Sequence, residues 1–364
     1  MNLRVLHVID HLVYGGAAIA VKNIVERMGD AQIETFLCVL RANPNPMPVG
    51  ANLISLNSHK YSPFVVPAIA ALCKKHEIHI VHAHLQKAVI GSLLAGFLCK
   101  SKIVVHEHGP ILTASVGALY RMLLRMLVGN AAVLVANSQA TRIALNRATR
   151  VPKECIPIVG NFIDFARFDP KRYDRTRARE TLGICEGQTV VGYVGRLEKD
   201  KGADLAVGAA KILSDRGRRC RFLIVGEGRE RRALEKMIRR LNLGGTVSLM
   251  GLSHNPAELM AAFDIGLVPS RCEAFGITAV ELMRMMIPVI ASPAGGLVEL
   301  VHNEKTGILL EKLSSEQIAD AIDRLLRQPS LRQTIVSGAR DFSCRFDGGE
   351  QLQKIRGIYE KLRS

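Results

Sequence analysis

Several residue types and patterns are scarce or absent in this sequence, and each absence narrows its function. The 364 residues include no tryptophan, only 5% aromatic residues and no basic run interleaved with aromatics. Nucleic acid is therefore not expected as a partner. None of the eight cysteines forms a C-x-x-C pair. Single, scattered cysteines are typical of reduced cytoplasmic proteins, and they predict neither disulfides nor a metal site.

Long apolar segments are also missing. The longest uncharged apolar stretch, Ala88–Cys99, has 12 residues, whereas a helix that crosses a bilayer needs about 20. The N-terminus has the pattern of a strand and not that of a signal peptide. We therefore expect a cytoplasmic protein that is soluble or peripheral on the inner face of the membrane.

The charge balance is strongly basic, with a formal net charge of +16. Residues 1–160 carry 16 Lys and Arg against 7 Asp and Glu, and the remainder carries 33 against 26. Such a field attracts phosphates, anionic lipid surfaces or nucleic acid. Solubility alone is a sufficient explanation for any single Lys or Arg.

Short apolar, β-branched runs alternate with longer helix-patterned segments along the whole chain. Many of these runs lack strict alternation, which is typical of parallel strands covered on both faces. This pattern predicts an α/β fold with two Rossmann-like, doubly wound domains that face a central cleft. The predicted strands are Leu3–Ile9, Glu34–Leu40, Asn52–Leu56, Ile78–Ala83, Ile103–Glu107, Val133–Ala136, Cys155–Val159, Val190–Val194, Arg221–Val225, Val247–Met250, Ile265–Val268, Val289–Ala291 and Ile308–Leu310.

A charged stretch without a clear strand separates the two halves. We place the domains at residues 1–162 and 163–345. Residues 346–364 read as a C-terminal helix that returns to the first domain. Because ligands bind at the carboxyl ends of parallel strands, unusual residues after strands are the candidate site.

In the first domain, Gly15 and Gly16 follow a strand and precede a helix predicted at Ala17–Arg27. Two glycines let the backbone approach a ligand, and a helix N-terminus offers N–H groups to an anion. Equally, the pair could serve chain geometry alone, and no G-x-G-x-x-G fingerprint is present.

Histidines end two strands of this domain. They are His82, His84, His106 and His108. No accompanying Cys or carboxylate has metal-site spacing, so no metal is predicted. Of the four, His108, beside Gly109, is the best placed to bind a substrate.

In the second domain, Arg196 and Lys201 follow a strand and stand between glycines. A guanidinium and an ammonium form a natural clamp for a diphosphate. A later strand leads into a loop with Glu273 and then a helix with Glu281, the two carboxylates being separated by seven residues. Carboxylates accept hydrogen bonds from vicinal sugar hydroxyls, although two glutamates of this spacing could also be surface residues.

Taken in order, these motifs resemble those of the retaining glycosyltransferases of family GT4 (glycosyl transferases group 1), which have the GT-B fold. The resemblance covers nearly the whole chain, and it implies that residues 1–162 form the acceptor domain and residues 163–345 the nucleotide-sugar donor domain. It implies transfer of a sugar from a UDP- or GDP-sugar to a saccharide or lipid-linked acceptor, in cell-surface polysaccharide or glycolipid biosynthesis. It also implies retention of the anomeric configuration, no cofactor and no catalytic metal.

The resemblance assigns roles residue by residue. Catalytic roles fall to His108, which would contact the donor sugar, to Arg196 and Lys201 on the diphosphate, and to Glu273 on the sugar hydroxyls. Glu281 would bind the ribose. The other implied donor contacts are Gly15, Gly16, Phe275, Gly276 and Ile277.

Two positions depart from the family pattern. Ala18 stands where an acidic residue is common, which bears on the acceptor side, and Met286 stands where glycine is common, which bears on packing. The segment Ala114–Val128 has the pattern of a membrane-surface helix, although an ordinary half-buried helix with two exposed arginines has the same pattern. A nucleotide-sugar epimerase or phosphorylase of similar two-domain shape and a non-catalytic nucleotide-sugar-binding protein remain alternatives.

Overall fold

The protein contains two β-sheets, each built from parallel strands. The structure is a computed structural model that describes residues 2–13, 15–30, 32–41, 47–50, 52–59, 62–112, 117–129 and 132–363. Within these ranges the chain forms two six-stranded sheets, and every pair of neighbouring strands is parallel. The predicted α/β class with two doubly wound sheets is therefore confirmed.

The first compact unit, unit 1, comprises Met1–Phe162 together with Gly348–Ser364. Its sheet has the order β3-β2-β1-β4-β5-β6. The strands are β1 (Leu3–Ile9), β2 (Ile33–Val39), β3 (Asn52–Ser55), β4 (Ile80–His84), β5 (Lys102–Glu107) and β6 (Ala132–Ala136). The helices are α1 (Gly16–Met28), α2 (Val65–Lys75), α3 (Gln86–Ala95), α4 (Ala118–Leu127), α5 (Gln139–Thr149) and, at the C-terminus, α14 (Gly349–Arg363).

Apolar side chains cover both faces of the unit 1 sheet. Leu6 and Val8 of β1 belong to one buried cluster, with residues of α2 and α3. Val5 of the same strand belongs to the opposite cluster, which includes Ile355 and Tyr359 of α14. Each such side chain contributes about 1.5–3 kcal/mol when it is fully buried. The two-sided burial explains why these strands read as continuous apolar runs.

The second unit, unit 2, comprises Ile163–Asp347, and its sheet has the order β12-β11-β10-β7-β8-β9. The strands are β7 (Thr189–Val194), β8 (Cys220–Val225), β9 (Val247–Gly251), β10 (Ile265–Val268), β11 (Val289–Ala291) and β12 (Ile308–Leu309). The helices are α6 (Arg175–Thr181), α7 (Ala203–Asp215), α8 (Arg231–Arg240), α9 (Pro256–Met260), α10 (Ile277–Arg284), α11 (Leu297–Leu300), α12 (Ser315–Arg327) and α13 (Pro329–Ser343).

Both sheets reverse their strand order at one point. In unit 1, β1 lies between β2 and β4, and in unit 2, β7 lies between β8 and β10. The loops that leave the two central strands diverge there to opposite faces of the sheet. Ligands of doubly wound sheets bind in the crevice that this divergence opens. The loops after β1 and β4, and after β7 and β10, are therefore the places to look for a site.

One predicted strand is wrong. The segment Cys155–Val159 is not a strand. It begins at the last residue of a short 3-10 turn, Lys153–Cys155, and then makes a single bridge, between Ile158 and Ala136. Pro157 lies in the middle of this segment and has no N–H to donate to a ladder. The other twelve predicted strands form, with ends that shift by at most two residues.

Candidate active site

A lysine and a glutamate meet at the switch point of unit 2. The Nζ of Lys201 lies 2.8 Å from Oε2 of Glu273, and both side chains are largely buried. The Ser270 hydroxyl donates to the same carboxylate oxygen over 3.1 Å. Lys201 ends a short 3-10 turn after β7, and Glu273 lies in the loop between β10 and α10. Because β7 and β10 are neighbours, residues 72 positions apart share one site.

Glycines allow the loops of this site to pack backbone against backbone. A Cβ at Gly226, after β8, would lie 1.9 Å from the Gly195 carbonyl oxygen, after β7. A Cβ at Gly295, after β11, would lie 1.8 Å from the carbonyl oxygen of Glu273. Both glycines have positive φ, +142° and +51°, which other residues rarely adopt. The contact at Gly226 therefore holds the loop that begins at Gly195, and the contact at Gly295 holds the loop that carries Glu273.

Arg196 projects from the same loop as Lys201. Its side chain is exposed, and among the described residues its guanidinium makes no ion pair. The Tyr193 hydroxyl donates to the Arg196 carbonyl over 3.0 Å and so fixes the start of the loop. A solvent-facing guanidinium and a half-buried ammonium on one loop can together contact a diphosphate.

Glu281 lies inside unit 2. Its side chain is on α10, the residue is 4% exposed, and no hydrogen bond to its carboxylate is found within the described ranges. Burial raises its pKa to about 7, and the charge of Arg167 acts in the opposite direction. The alternative of a surface glutamate is therefore wrong for this residue. A buried carboxyl group without a protein partner can accept or donate a hydrogen bond to a ligand hydroxyl.

The segment from Phe275 to Ile277 opens helix α10. The side chains of Phe275 and Ile277 are buried, so only their backbone groups are available to a ligand. Gly276 has a φ of +97°, and no side chain caps the helix. Within the described ranges, the first N–H groups of α10 are therefore not capped by a side chain, as is usual where a helix N-terminus binds an anion.

Two helices, α1 and α3, begin at the switch point of unit 1. Gly15 and Gly16 open α1 without a side-chain cap. The carboxylate of Asp10, after β1, accepts hydrogen bonds from Ala88 over 2.6 Å and from Lys87 over 3.3 Å. Burial raises the pKa of Asp10, and these two bonds act to lower it. Asp10 thus caps the N-terminus of α3, whereas in the described part of the chain no side chain is found to cap α1.

His108 lies just beyond β5 and is buried. Burial lowers its pKa well below the ordinary value, with a further contribution from His106 and an opposing hydrogen bond to Asn161. The imidazole is therefore neutral near pH 7. Its Nε2 lies 3.0 Å from Nδ1 of His84. A neutral imidazole can exchange a hydrogen bond with a sugar hydroxyl without attracting the phosphates.

Glu107, beside His108, was not recognised from the sequence. Its carboxylate accepts hydrogen bonds from the backbone of Gly109 over 2.9 Å and of Ile111 over 3.4 Å. The Tyr120 hydroxyl of α4 donates to its other oxygen over 3.4 Å. Burial raises the pKa of Glu107 to about 7. The sequence signal was an acidic residue at the end of an apolar strand, where a carboxylate must find partners inside the fold.

Five buried histidines form two overlapping groups that could hold a metal: His7, His82 and His84, and His84, His106 and His108. Within each group the possible ligand nitrogens lie within 4.8 Å of one another. Imidazole nitrogens suit zinc and related ions. Here, however, the shared His84 already uses both nitrogens in hydrogen bonds to His7 and His108. The absence of a metal therefore stays a prediction.

Comparisons with known proteins identify the family and the fold of this chain. Residues 14–167 match the model of "Glycosyltransferase Family 4", and residues 174–342 match that of "Glycosyl transferases group 1". An alpha-D-kanosaminyltransferase of Streptomyces kanamyceticus is 31% identical over 237 residues, which cover 64% of this chain and 61% of the relative. An uncharacterized glycosyltransferase of Methanocaldococcus jannaschii is 25% identical over 96% of this chain and 95% of its own. The chain thus spans about three fifths of the length of the first of these relatives.

Among solved structures, Anabaena HepE in complex with UDP and glucose superposes with a TM-score of 0.85. The alignment covers 99% of this chain and 100% of HepE, with 23% sequence identity. At that identity the likeness concerns the fold, which is GT-B. No helix of the described ranges is both long enough and apolar enough to cross a membrane.

Proposed function

Because the chain belongs to family 4 of the glycosyltransferases, we propose that it transfers a sugar from a nucleotide-diphosphate sugar to an acceptor. The contact between Lys201 and Glu273 at the switch point of unit 2 is the observation that carries this proposal. We assign the cation of this pair to the diphosphate and its carboxylate to the sugar hydroxyls. The epimerase and non-catalytic alternatives are not favoured, since the matched family models describe transferases.

In this proposal the donor is a UDP- or GDP-sugar held mainly by unit 2. Arg196 and Lys201 bind the diphosphate and stabilise the negative charge that develops as it leaves. Glu273 accepts hydrogen bonds from the transferred sugar, and the uncapped N–H groups at Phe275, Gly276 and Ile277 add donors. The buried carboxyl of Glu281 binds the ribose hydroxyls.

The reaction proposed here retains the anomeric configuration and uses no metal and no other cofactor. Positive side chains and helix N–H groups supply the charge stabilisation that a metal would otherwise provide. The leaving phosphate is the base that takes the proton of the acceptor hydroxyl. A chelator should therefore leave the transfer rate unchanged. In unit 1, we expect Gly15, Gly16 and His108 to be the remaining donor contacts.

For the acceptor we propose a saccharide or a lipid-linked molecule used in cell-surface polysaccharide or glycolipid assembly. Helix α4 supports contact with the membrane that would carry such an acceptor. Its residues Leu119, Met122 and Met126 are 62%, 51% and 71% exposed and lie on one face. Arg121 and Arg125 are exposed and lie next to each other, on one side of this face. Exposed apolar residues with arginines beside them are typical of helices that lie in an anionic lipid interface. Of the predicted segment 114–128, residues 114–116 lie outside the described ranges.

Two variants and one control test the donor site. Arg196→Ala and Glu273→Gln should each lower the transfer rate by about a hundredfold or more, as expected when a charge-stabilising or sugar-binding group is lost. Arg229→Ala removes another exposed arginine of unit 2 and should change the rate little. The substrates are a panel of UDP- and GDP-sugars, with thermal shift as the measure of binding. If no member of the panel binds, or if Arg196→Ala turns over normally, the proposal is wrong.

Membrane contact needs its own test. Leu119→Ser combined with Met126→Ser should weaken cosedimentation with vesicles of anionic phospholipid, while vesicles of phosphatidylcholine should bind either protein poorly. Phe64→Ser, at a residue 75% exposed outside α4, is the control for loss of an exposed apolar side chain. Equal binding of the double variant and the control would contradict a role for α4.

A further inference from the structure

Two loops of unit 2 carry the pair of charges assigned to the donor. Lys201 belongs to residues 195–202, between β7 and α7, which we call the lysine loop. Glu273 belongs to residues 269–276, between β10 and α10, which we call the glutamate loop. Each loop continues beyond the end of its strand, where the hydrogen bonds of the sheet no longer align the two. The 2.8 Å contact between Lys201 and Glu273 therefore depends on other contacts between the loops.

Arg271 of the glutamate loop makes several of these contacts. Its guanidinium binds the carboxylate of Asp204 with two parallel bonds, from Nη1 to Oδ1 over 2.8 Å and from Nη2 to Oδ2 over 2.6 Å. Asp204 lies in the first turn of α7, three residues after Lys201. The same Nη1 donates to the carbonyl of Lys199 over 2.7 Å. Arg271 thus holds the chain on both sides of Lys201.

The backbones of the two loops are also in direct contact. The N–H groups of Arg271 and Cys272 both donate to the carbonyl of Asp200, over 2.7 Å and 3.3 Å. At Gly202, which has a φ of +73°, a Cβ would lie 2.0 Å from the carbonyl oxygen of Pro269. The loops therefore meet backbone to backbone as well as through the Arg271 side chain.

The bond between Arg271 and Asp204 differs from most surface ion pairs. The two side chains are 34% and 40% exposed, and a pair with that exposure usually contributes little to stability. A guanidinium that meets a carboxylate with two parallel bonds is the exception, because the planar fork fixes both distance and direction. Burial acts to raise the pKa of Asp204, but the bond to Arg271 and backbone bonds lower it below its ordinary value. The carboxylate is therefore charged near pH 7.

We propose that Arg271 is a positioning residue, which holds the lysine loop against the glutamate loop and so keeps the Lys201 ammonium beside the Glu273 carboxylate. Its guanidinium is bonded to Asp204 and to the carbonyl of Lys199, and it acts through these bonds on the groups that contact the donor. The consequence for catalysis rests on the proposed function, because it requires Lys201 to stabilise the leaving diphosphate. The alignment of the two loops does not.

The first readout needs no substrate. Arg271→Met keeps the length of the side chain and removes the guanidinium, and Asp204→Asn keeps the shape of its partner and removes the charge. In both variants, hydrogen exchange of peptides that cover residues 198–205 and 269–276 should be about tenfold faster than in the wild type, because the loops separate more often. Exchange at the wild-type rate in Arg271→Met would overturn the proposal.

The matched control is an ion pair of similar exposure elsewhere in unit 2. Arg324 binds Glu304 over 2.8 Å, and their side chains are 38% and 45% exposed. Arg324→Met should leave hydrogen exchange of both loops and the transfer rate unchanged. If it accelerates exchange of the two loops as much as Arg271→Met does, the effect is a general loss of stability and the proposal is wrong.

Kinetics provide the second readout. In Arg271→Met, kcat should fall by about ten- to hundredfold, while the KM for the donor changes by less than about threefold. Negative charge grows on the diphosphate in the transition state, so a misplaced cation has its largest effect there. Arg271→Lys keeps the charge and can make one bond to Asp204, and it should recover part of the rate.

A double variant tests whether the two residues act through one contact. Arg271→Met combined with Asp204→Asn should be no slower than the slower single variant, because each change alone already breaks the shared bond. If the losses in kcat multiply instead, the two side chains act independently and the proposed contact does not explain them.

The two readouts separate the possible failures. Faster exchange of the loops in Arg271→Met together with a normal kcat would refute the catalytic consequence. A wild-type protein that transfers no sugar from any UDP- or GDP-sugar would refute the proposed function, while faster exchange in Arg271→Met would still support the alignment of the loops.

Discussion

The buried carboxyl of Glu281 makes the stability of unit 2 depend on pH in a direction opposite to that of most acidic residues. Its pKa is raised from 4.5 to about 7, so between these values the folded state holds a proton that the unfolded state has lost. Stability is therefore lost as the pH rises from 4.5 through 7, and the loss then levels off. Integrated over this window, the effect is about 3 kcal/mol in the free energy of unfolding.

Glu281→Gln should remove this dependence, because the amide has nearly the same shape and does not titrate. A buried amide has hydrogen-bonding needs of its own, so the comparison at a single pH is less informative than the trend. Between pH 4.5 and pH 8, the stability of the variant relative to wild type should increase by about 3 kcal/mol. Urea unfolding followed by hydrogen exchange of unit 2 peptides measures this directly. The chain has no tryptophan to report on unfolding.

The control is Glu186→Gln, which changes an exposed glutamate of the same unit and should show no such trend. In parallel, Glu281→Gln should weaken binding of UDP or GDP, since the proposed ribose contact is changed. A variant whose stability relative to wild type stays constant from pH 4.5 to pH 8 would refute the reasoning. It would mean that the carboxylate has a compensating partner or is open to water in solution.

Two further predictions concern the close-packed glycines of unit 2 and the five buried histidines of unit 1. Gly226→Ala should destabilise unit 2 by at least about 2 kcal/mol in urea unfolding, because the new Cβ would meet a carbonyl oxygen at a strained φ. Gly244→Ala, with open space around the Cβ, should change stability by less than about 1 kcal/mol, and equal effects would contradict the close-packed loops. From pH 7 to pH 5, unit 1 should lose stability, measured by hydrogen exchange, because its five buried histidines have lowered pKa values and gain protons only in the unfolded chain. His7 and His106, whose pKa values fall to about 3 and about 4, account for a loss of about 2 kcal/mol each, and the raised pKa of Glu107 returns about 2 kcal/mol. The lowered pKa values of His82, His84 and His108 add to the loss. Unchanged protection at pH 5 would show that these rings are hydrated.

Much of the fold can be predicted from the sequence because parallel strands buried on both faces leave a strong local signal. The pairing of Lys201 with Glu273 also follows from topology, since both residues come directly after strands that a doubly wound sheet places side by side. The error at Cys155–Val159 has a local cause as well. Its apolar pattern is that of a strand, but Pro157 and the position beside the last strand of the sheet allow only one bridge.

The contacts among the five buried histidines of unit 1 could not be predicted in the same way. His7 and His84 are 77 residues apart, and their contact depends on β1 and β4 being neighbours in a register that no local pattern encodes. Burial of Glu281 is a similar case. The helical period of α10 predicts which residues share a face with Glu281. How deeply that face is buried depends on the elements that pack over it. Residues whose role comes from desolvation are recognisable only when the surrounding fold is known.

The two sheets have the same strand order, but the side chains near their switch points are charged in unit 2 and neutral in unit 1. Unit 2 holds charges: the ammonium of Lys201 stays beside the carboxylate of Glu273, and Arg196 faces solvent, as binding a diphosphate requires. Unit 1 instead holds the rings of His7, His84 and His108 in their neutral form by burying them. Neutral rings can orient a hydroxyl group without competing for the phosphates, whose charge would otherwise be drawn to every cation nearby. A positive charge introduced at His84 would be expected to disturb both the folding of unit 1 and the use of a charged donor.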